Sequence, residues 1–218
     1  MKIKWYGHAA FRLTTADGTG IIIDPYESGG FGGAIAYGPI TDRASIVLVT
    51  HSHADHNYTS SIPGPYSEVR EEGAYDLHGV KIRAVATFHD ESKGKERGNN
   101  LILVIEADGL SCVHLGDLGH ALSDDLVKRI GKTDVLMLPV GGYFTIDAEV
   151  ATKVMNALRP AITIPMHYKT EKVDFPITGV EGFVQGKERV KRINGSEIEV
   201  TRETLPKEPE IVLLRHAK

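Results

Sequence analysis

Side chains able to bind metal follow directly after apolar, strand-like runs at six places along this chain. These runs are short and rich in β-branched residues, which is typical of strands in a packed sheet. The polar residues that follow them are His8, Asp24, His51, His89, Asp117 and His167. Because functional side chains are commonly carried by loops on a rigid scaffold, we expect the six strand ends to converge on one edge of the sheets.

The strand-like runs are interrupted by dipeptides that favour tight turns. The runs cover residues 3–6, 11–14, 21–23, 46–49, 80–87, 101–106, 110–114, 135–138, 162–164 and 211–214. Asp108-Gly109 predicts a hairpin between two of them, and His78-Gly79 and Asn194-Gly195 predict two more. The first half of the chain is therefore predicted to be mostly antiparallel sheet.

Helix signals are concentrated in the second half of the chain. Ser123 can cap a helix running to residue 130, and Asp147 can cap another running to residue 158. Thr178 and Glu181 have the spacing of a capping box for a third, short helix. Because these helices alternate with strands, the chain is predicted to have a mixed α/β architecture with helices packed outside the sheets.

The composition is that of one soluble globular domain spanning residues 1–218. Hydrophobic residues make up 41% of the chain and charged residues 25%. The net charge of −4 argues against a surface built for phosphate backbones, so nucleic acid is left open as a partner but is not indicated. No apolar run approaches about 18 residues, so no membrane association is expected. The single cysteine and the lack of a signal-peptide core predict a cytoplasmic location, and a homo-oligomer is compatible with the sequence.

The densest set of metal ligands is His51-Ser52-His53-Ala54-Asp55-His56, with three imidazoles and one carboxylate in six consecutive residues. Neutral nitrogen and anionic oxygen ligands suit borderline divalent metals such as zinc. Taken alone, the cluster could be a solvated histidine-rich turn. The later residues His89, Asp117 and His167 favour a metal site instead.

This His-x-His-x-Asp-His motif with its later single ligands resembles the metallo-β-lactamase superfamily. Within it, the chain is similar to the compact group that includes L-ascorbate-6-phosphate lactonase and many uncharacterised metal-dependent hydrolases. Four further segments carry that similarity: Tyr6-Gly7-His8-Ala9, Ile23-Asp24-Pro25, His114-Leu115-Gly116-Asp117 and Ile164-Pro165-Met166-His167-Tyr168. The resemblance implies a four-layered αβ/βα sandwich, with two mixed sheets, helices outside them and two metals in a cleft at one edge.

The resemblance also assigns the ligands. It implies that His51, His53 and His89 bind the first metal, that Asp55, His56 and His167 bind the second, and that Asp117 bridges them. Two divalent ions are expected, with zinc or manganese first and iron or nickel left open. A glutamate in place of the second histidine would have pointed to the diiron redox branch, and His53 therefore favours hydrolysis.

The implied function is a dinuclear metal-dependent hydrolase that acts on a small anionic ester, either a phosphodiester or a lactone. Two cations about 3.5 to 4 Å apart can share a water and present it as a bridging hydroxide. A nuclease or general phosphodiesterase is the alternative among enzymes. A sensor or interaction module that binds metal without catalysis is the alternative outside them.

Further roles are expected of residues in and around the ligand set. Asp55 combines metal binding with a general-base role, and His8 is either a catalytic proton donor or a hydrogen-bonded histidine at a strand end. Asp24 is expected to fix the ligand loop rather than to bind metal. The 93–98 segment is either a basic lip for an anionic substrate or a solvated loop, while Tyr168 and Lys169 are expected to contact substrate.

Overall fold

The computed structural model describes residues 1–218 and contains two β-sheets of six and eight strands. The smaller sheet consists of β1 (Lys2–Gly7), β2 (Ala10–Thr14), β3 (Gly20–Ile23), β4 (Ile46–Leu48), β5 (Ser67–Val69) and β13 (Glu197–Glu199). The larger sheet consists of β6 (Gly73–Leu77), β7 (Val80–Phe88), β8 (Asn99–Ala107), β9 (Leu110–His114), β10 (Val135–Pro139), β11 (Ile162–Met166), β12 (Val190–Arg192) and β14 (Glu210–Leu213). Their spatial orders are β13-β1-β2-β3-β4-β5 and β12-β14-β11-β10-β9-β8-β7-β6.

Both sheets are mixed. In the smaller sheet β1, β2 and β3 are antiparallel, whereas β3, β4 and β5 are parallel. In the larger sheet β6 to β9 are antiparallel, and β10 is parallel to β9 and β11. The first half of the chain is thus mostly antiparallel, as predicted, and the prediction of two mixed sheets is confirmed.

The alternation of side chains along each strand gives the smaller sheet two buried faces. Ile21 and Ile23 belong to the main core that the two sheets share, whereas Ile22 lies in a second cluster on the other face. That second cluster includes Tyr26 and Tyr37 from the long 24–45 segment. The outer layer on this side is therefore built from loops rather than α-helices.

Three α-helices follow in the second half of the chain: α1 (Asp124–Ile130), α2 (Ala148–Leu158) and α3 (Glu181–Val184). The Ser123 hydroxyl accepts a hydrogen bond from the Leu126 N–H, and the Asp147 carboxylate accepts one from the Val150 N–H. Both predicted helix caps are confirmed. None of the helices has the length and hydropathy needed to cross a bilayer.

Two local predictions are wrong. The proposed capping box does not form, because α3 begins after Val180 without a side-chain cap, and the Thr178 hydroxyl donates to the Gly141 carbonyl at 3.0 Å instead. Asn194-Gly195 does not form a hairpin, because β12 pairs with β14 in the larger sheet while β13 pairs with β1 in the smaller one. The chain crosses between sheets at this dipeptide.

Four strands are absent from the sequence-based prediction, namely β5, β6, β12 and β13. They are the four edge strands of the two sheets. Edge strands have one unpaired side and are commonly polar, which removes the apolar run that identifies a central strand. Their segments Ser67–Val69 and Glu197–Glu199 are largely exposed or half-buried.

Candidate metal centre

The strand ends predicted to converge do lie together at one edge of the sheets. Ligand atoms of eight residues lie within 4.8 Å of one another in three overlapping groups. The groups are His8, Asp55, His56 and His167; His51, His53 and His89; and His51, His56 and Asp117. All eight predicted metal or catalytic residues are therefore neighbours in the fold.

Three of the residues at these strand ends have left-handed backbone conformations. The φ angles are 52° at His8, 47° at Asp24 and 50° at His167. A residue other than glycine in this region costs about 1–3 kcal/mol and persists only where its surroundings fix it. The His167 N–H supplies such a contact by donating to the His8 carbonyl at 3.0 Å, which joins the end of β11 to the end of β1.

Asp24 orients two of the histidines without contacting the centre itself. Its carboxylate accepts hydrogen bonds from the Thr50 N–H at 2.8 Å and from the Thr50 hydroxyl at 2.7 Å. Because the Thr50 proton is used in this way, its oxygen accepts from His51 Nδ1 at 3.0 Å. His56 Nδ1 lies 3.0 Å from Asp24 Oδ2 and donates directly. Both imidazoles are therefore held with a bare Nε2 facing the centre, which is the form that binds metal.

The His51, His53 and His89 group has close nitrogen spacing. His51 Nε2 lies 3.1 Å from His53 Nδ1, and the ring centroid of His89 lies 5.0 Å and 5.1 Å from those of His51 and His53. Burial lowers the pKa of His51 to about 3 and also lowers the pKa of His53. Ligand nitrogens of these three imidazoles lie within 4.8 Å of one another, a spacing suited to sharing one cation.

Asp117 lies at the junction of the groups. Its Oδ2 atom lies 3.0 Å from His89 Nε2, 3.2 Å from the Nε2 atoms of both His56 and His167, and 3.9 Å from His51 Nε2. Burial by itself raises the pKa of this carboxyl, but His167 and His56 outweigh it and hold the pKa well below its usual range. One anionic oxygen thus lies within reach of His51 and His89 from one group and of His56 and His167 from another.

The loop that carries Asp117 is fixed by two buried polar side chains that were not assigned this duty from the sequence. Asn100 donates to the Leu115 carbonyl and accepts from the Asp117 N–H, each at 2.9 Å. His114 Nδ1 accepts from the Gly116 N–H at 3.0 Å, so Nε2 carries the proton and donates to the Ala9 carbonyl at 2.9 Å. The Asn99-Asn100 pair at the start of an apolar strand is the only sequence signal for Asn100.

His8 belongs to the group of Asp55, His56 and His167 and contacts Asp55 directly. His8 Nε2 lies 3.0 Å from Asp55 Oδ2, and its ring centroid lies 4.1 Å from that of His167. Burial and the neighbouring His167 lower the pKa of His8 to about 4, so the neutral imidazole donates its Nε2 proton to Asp55. Burial raises the pKa of Asp55, but His56 and His8 more than reverse this, and Asp55 is an anion.

The donor set fits divalent cations. His56 Nε2 and Asp117 Oδ1 are buried and have no hydrogen-bond partner. Leaving such a group unsatisfied costs about 1–3 kcal/mol each. Burial opposes a charge on His56, yet Asp117 and Asp55 raise its pKa well above the ordinary value, so negative charge is in excess around this ring. Cations bound among these atoms would satisfy both lone pairs and neutralise the excess negative charge.

A cavity of about 530 Å³ opens onto this centre. His53, Asp55, His89, Asp117 and His167 line its inner part. Its remaining lining residues are Phe31, Ser52, Ala54, Glu96, Arg97, Phe144 and Phe175. The volume suits a small molecule with one end at the candidate metal ligands.

The 93–98 segment contributes one cation to the cavity. Arg97 and Glu96 line it, whereas Lys93 and Lys95 do not. Buried Asp90 fixes the segment by accepting hydrogen bonds from the N–H groups of residues 92, 94, 96 and 97 at 2.8 to 3.0 Å. The Arg97 backbone is therefore anchored close to the candidate ligand His89.

The expected substrate contacts at Tyr168 and Lys169 are wrong. Tyr168 is buried against Trp5, with ring centroids 5.3 Å apart. The Lys169 ammonium donates to Asp174 at 3.1 Å and to the Phe175 carbonyl at 2.9 Å. Neither residue lines the cavity, because β11 ends at Met166 and the left-handed turn at His167 redirects the chain.

Comparisons with known proteins agree with this fold. The model of the β-lactamase superfamily domain matches residues 2–167. A UPF0173 metal-dependent hydrolase from Thermococcus onnurineus is 32% identical over 195 residues, covering 78% of this chain and 85% of the relative. A crystal structure of a candidate Zn-dependent hydrolase of the metallo-β-lactamase superfamily from Thermotoga maritima superposes with a TM-score of 0.81 and 35% identity, covering 98% and 97% of the two chains.

The same fold also occurs in a protein of different chemistry. CmlA, a diiron β-hydroxylase from Streptomyces venezuelae, has a TM-score of 0.54 and 16% identity, covering 76% of this chain and 44% of CmlA. The fold therefore does not decide the reaction by itself. The domain match over most of the chain and the identity to the first two proteins decide the family: this chain belongs to the metallo-β-lactamase superfamily.

Proposed function

We propose that this protein is a metal-dependent hydrolase that holds two divalent ions and cleaves a small anionic ester. The names of its relatives support the general class of metal-dependent hydrolase. The observation that carries the two-metal site is the position of Asp117 Oδ2, within 3.9 Å of imidazole nitrogens from both ligand groups.

The proposed ligand set divides into two groups with one shared residue. His51, His53 and His89 would hold one ion, and Asp55, His56 and His167 would hold the other, with Asp117 between them. Zinc or manganese suits this mixture of imidazoles and carboxylates, and iron or nickel is compatible with it. When bound, two such ions supply Lewis acidity and lower the pKa of water toward neutrality.

The chain's own residues would orient substrate and move protons. Asp55 lines the cavity, and its Oδ2 atom is held by His8, so its carboxylate has a fixed orientation beside the space that substrate and water would enter. We assign Asp55 the role of proton acceptor and His8 the role of holding it in place. The Arg97 guanidinium lines the same cavity and can pair with an anionic group of the substrate.

The bond that is cleaved is either a phosphodiester or a lactone ester. Both present an oxygen atom that cations can polarise, a phosphoryl oxygen or a carbonyl oxygen, and an electrophilic centre to water. A nuclease or general phosphodiesterase is the second candidate, and the readiness of two-metal sites to cleave phosphodiesters favours it. The net charge of −4 and the single arginine at the cavity favour a small substrate over a long polyanion.

Turnover should depend on both metal and His53. We expect zinc- or manganese-loaded protein to hydrolyse bis(p-nitrophenyl) phosphate or a member of a small lactone panel. His53→Ala should lower kcat/KM by at least about 100-fold, because it removes a ligand while leaving the fold in place. Steady-state kinetics, metal content and circular dichroism together measure this.

The matched control is His78→Asn, which replaces an exposed histidine in the β6–β7 turn. Asparagine tolerates the φ of 51° at that position, and kinetics should be unchanged. Absence of metal-dependent turnover on the whole panel would favour a non-catalytic metal-binding module.

Substitution of His8 separates catalysis from metal binding. We expect His8→Ala to keep its metal content but to lower turnover by about 10- to 100-fold, because Asp55 loses the donor that orients it. His8→Gln, which retains an N–H donor, should recover part of the rate and restore the pH profile. Unchanged kinetics in His8→Ala would contradict a positioning role, and loss of metal would make His8 a ligand instead.

A further inference from the structure

Three phenylalanines form one side of the cavity above the metal centre. We call Phe31, Phe144 and Phe175 the phenylalanine wall. The ring of Phe175 meets that of Phe31 at a centroid distance of 5.4 Å and that of Phe144 at 5.7 Å, with interplanar angles of 87° and 77°. This edge-to-face contact makes a continuous apolar surface in a cavity otherwise lined mainly by polar residues.

The inner end of the phenylalanine wall lies beside His8. The Phe175 ring lies 5.8 Å from the imidazole of His8, centroid to centroid. The Lys169 ammonium holds the Phe175 carbonyl at 2.9 Å, which explains why this lysine does not reach the cavity. The apolar surface therefore extends outward from the group of Asp55, His56 and His167.

At the outer end of the wall, Phe31 combines an exposed apolar side chain with an unfavourable backbone conformation. The Phe31 side chain is 54% exposed, and its φ angle of 53° lies in the left-handed region. Gly29, Gly32 and Gly33 beside it also have positive φ angles, and a Cβ atom at any of them would meet no atom within 4 Å. Core packing does not account for a large apolar side chain held in this way, and such an outlier points to binding.

We propose that the phenylalanine wall binds an apolar substituent of the substrate, so the substrate class is a small amphiphilic ester with an anionic end and an aryl or alkyl end. This rests on the proposed function, since the anionic end would lie at the metal ligands and Arg97. Rings set at 77° and 87° to one another do not form parallel faces that would sandwich a nucleobase. Arg97 is the one lysine or arginine that lines the cavity, and a single cation suits a small anion better than a polynucleotide.

The test compares ligands that differ only in the apolar substituent. Isothermal titration of zinc-loaded, full-length protein would measure the Kd values of methylphosphonate and phenylphosphonate. We expect phenylphosphonate to bind about 10- to 100-fold more tightly, the range for burial of one aromatic ring. The kcat/KM values of p-nitrophenyl methyl phosphate and p-nitrophenyl hexyl phosphate, which share a leaving group, should differ in the same direction.

Variants of the wall locate the effect. Phe31→Ala should reduce the preference for the phenyl ligand several-fold, and Phe175→Ala should reduce it to within about twofold of unity. Phe31 is exposed, so its variant tests the wall without disturbing the core. Tyr58→Ala, at an exposed tyrosine that does not line the cavity, should retain the wild-type preference.

Three results would each overturn the proposal. The first is equal Kd values of methylphosphonate and phenylphosphonate in the wild type, and the second is a preference for the phenyl ligand that both wall variants leave unchanged. The third is a preference that Tyr58→Ala removes as fully as the wall variants do. Thymidine monophosphate binding more than tenfold tighter than phenylphosphonate would instead assign the wall to nucleotides. Because binding is measured without turnover, failure of hydrolysis on every substrate would refute the proposed function while the Kd ratio still decides this inference.

Discussion

Asp117→Ala is expected to abolish the proposed two-metal site, with metal content falling from the proposed two ions per chain to one or none. The lost carboxylate oxygen now lies within 3.9 Å of four imidazole nitrogens. Without it, two cations would face each other with no shared anion. Because a catalytic metal contributes several kcal/mol to the transition state, turnover should fall by at least about 10³-fold.

Elemental analysis after dialysis, with kinetics over a range of zinc and manganese concentrations, measures both effects. Asp76→Ala is the control, since Asp76 is an exposed carboxylate in the edge strand β6 and belongs to none of the ligand groups. A variant that keeps two ions and turns over within tenfold of the wild type would show that Asp117 does not bridge the site.

Gly141→Ala is expected to damage the centre through the backbone. A Cβ atom at this position would overlap the His167 carbonyl oxygen and approach the Tyr168 Cα atom at 3.1 Å. Both are main-chain atoms, so neither can rotate aside, and the His167 N–H is already bound to His8. We expect a loss of about 1–3 kcal/mol in the free energy of unfolding, together with weaker metal binding as His167 is displaced.

The control is Gly182→Ala, in α3. Its Cβ atom would lie 3.9 Å from the Ala148 Cβ atom, an ordinary van der Waals contact. Alanine is favoured over glycine inside a helix by up to about 1 kcal/mol, so this variant should be neutral or slightly more stable. Denaturant unfolding with and without zinc compares the two. Equal stability and metal affinity in Gly141→Ala and wild type would mean that the turn accommodates the methyl group.

The central strands were predictable because each is an apolar run several residues long. The 101–106 and 110–114 runs correspond to β8 and β9, and Asp108-Gly109 forms the predicted turn between them. The edge strands β5, β6, β12 and β13 were not predicted as such, because half-exposed strands need no apolar run. Asn194-Gly195 has hairpin composition, yet the flanking strands pair with different partners, and pairing is a long-range property.

The candidate ligands were predictable for a different reason. Imidazole and carboxylate groups are what metals require, and their position after strands indicated a shared edge. The phenylalanine wall had no such signal, since Phe31, Phe144 and Phe175 are far apart in the chain and each is typical of a core residue. The predicted substrate contact of Lys169 was wrong for a related reason. Its position shortly after His167 suggested that its side chain would reach the cavity, whereas its ammonium donates to the Phe175 carbonyl.

The sequence by itself determined the chemical identity of the site, because ligand type and strand propensity are properties of single residues and their near neighbours. Only the tertiary structure decided how those residues act. It places Asp117 within reach of His89 and His56, which belong to different ligand groups. It also places Asp24 where its hydrogen bonds orient His51 and His56 with Nε2 toward the centre, and it packs the rings of the phenylalanine wall together beside the site. These are through-space relations set by sheet order and left-handed turns, and local sequence does not encode them.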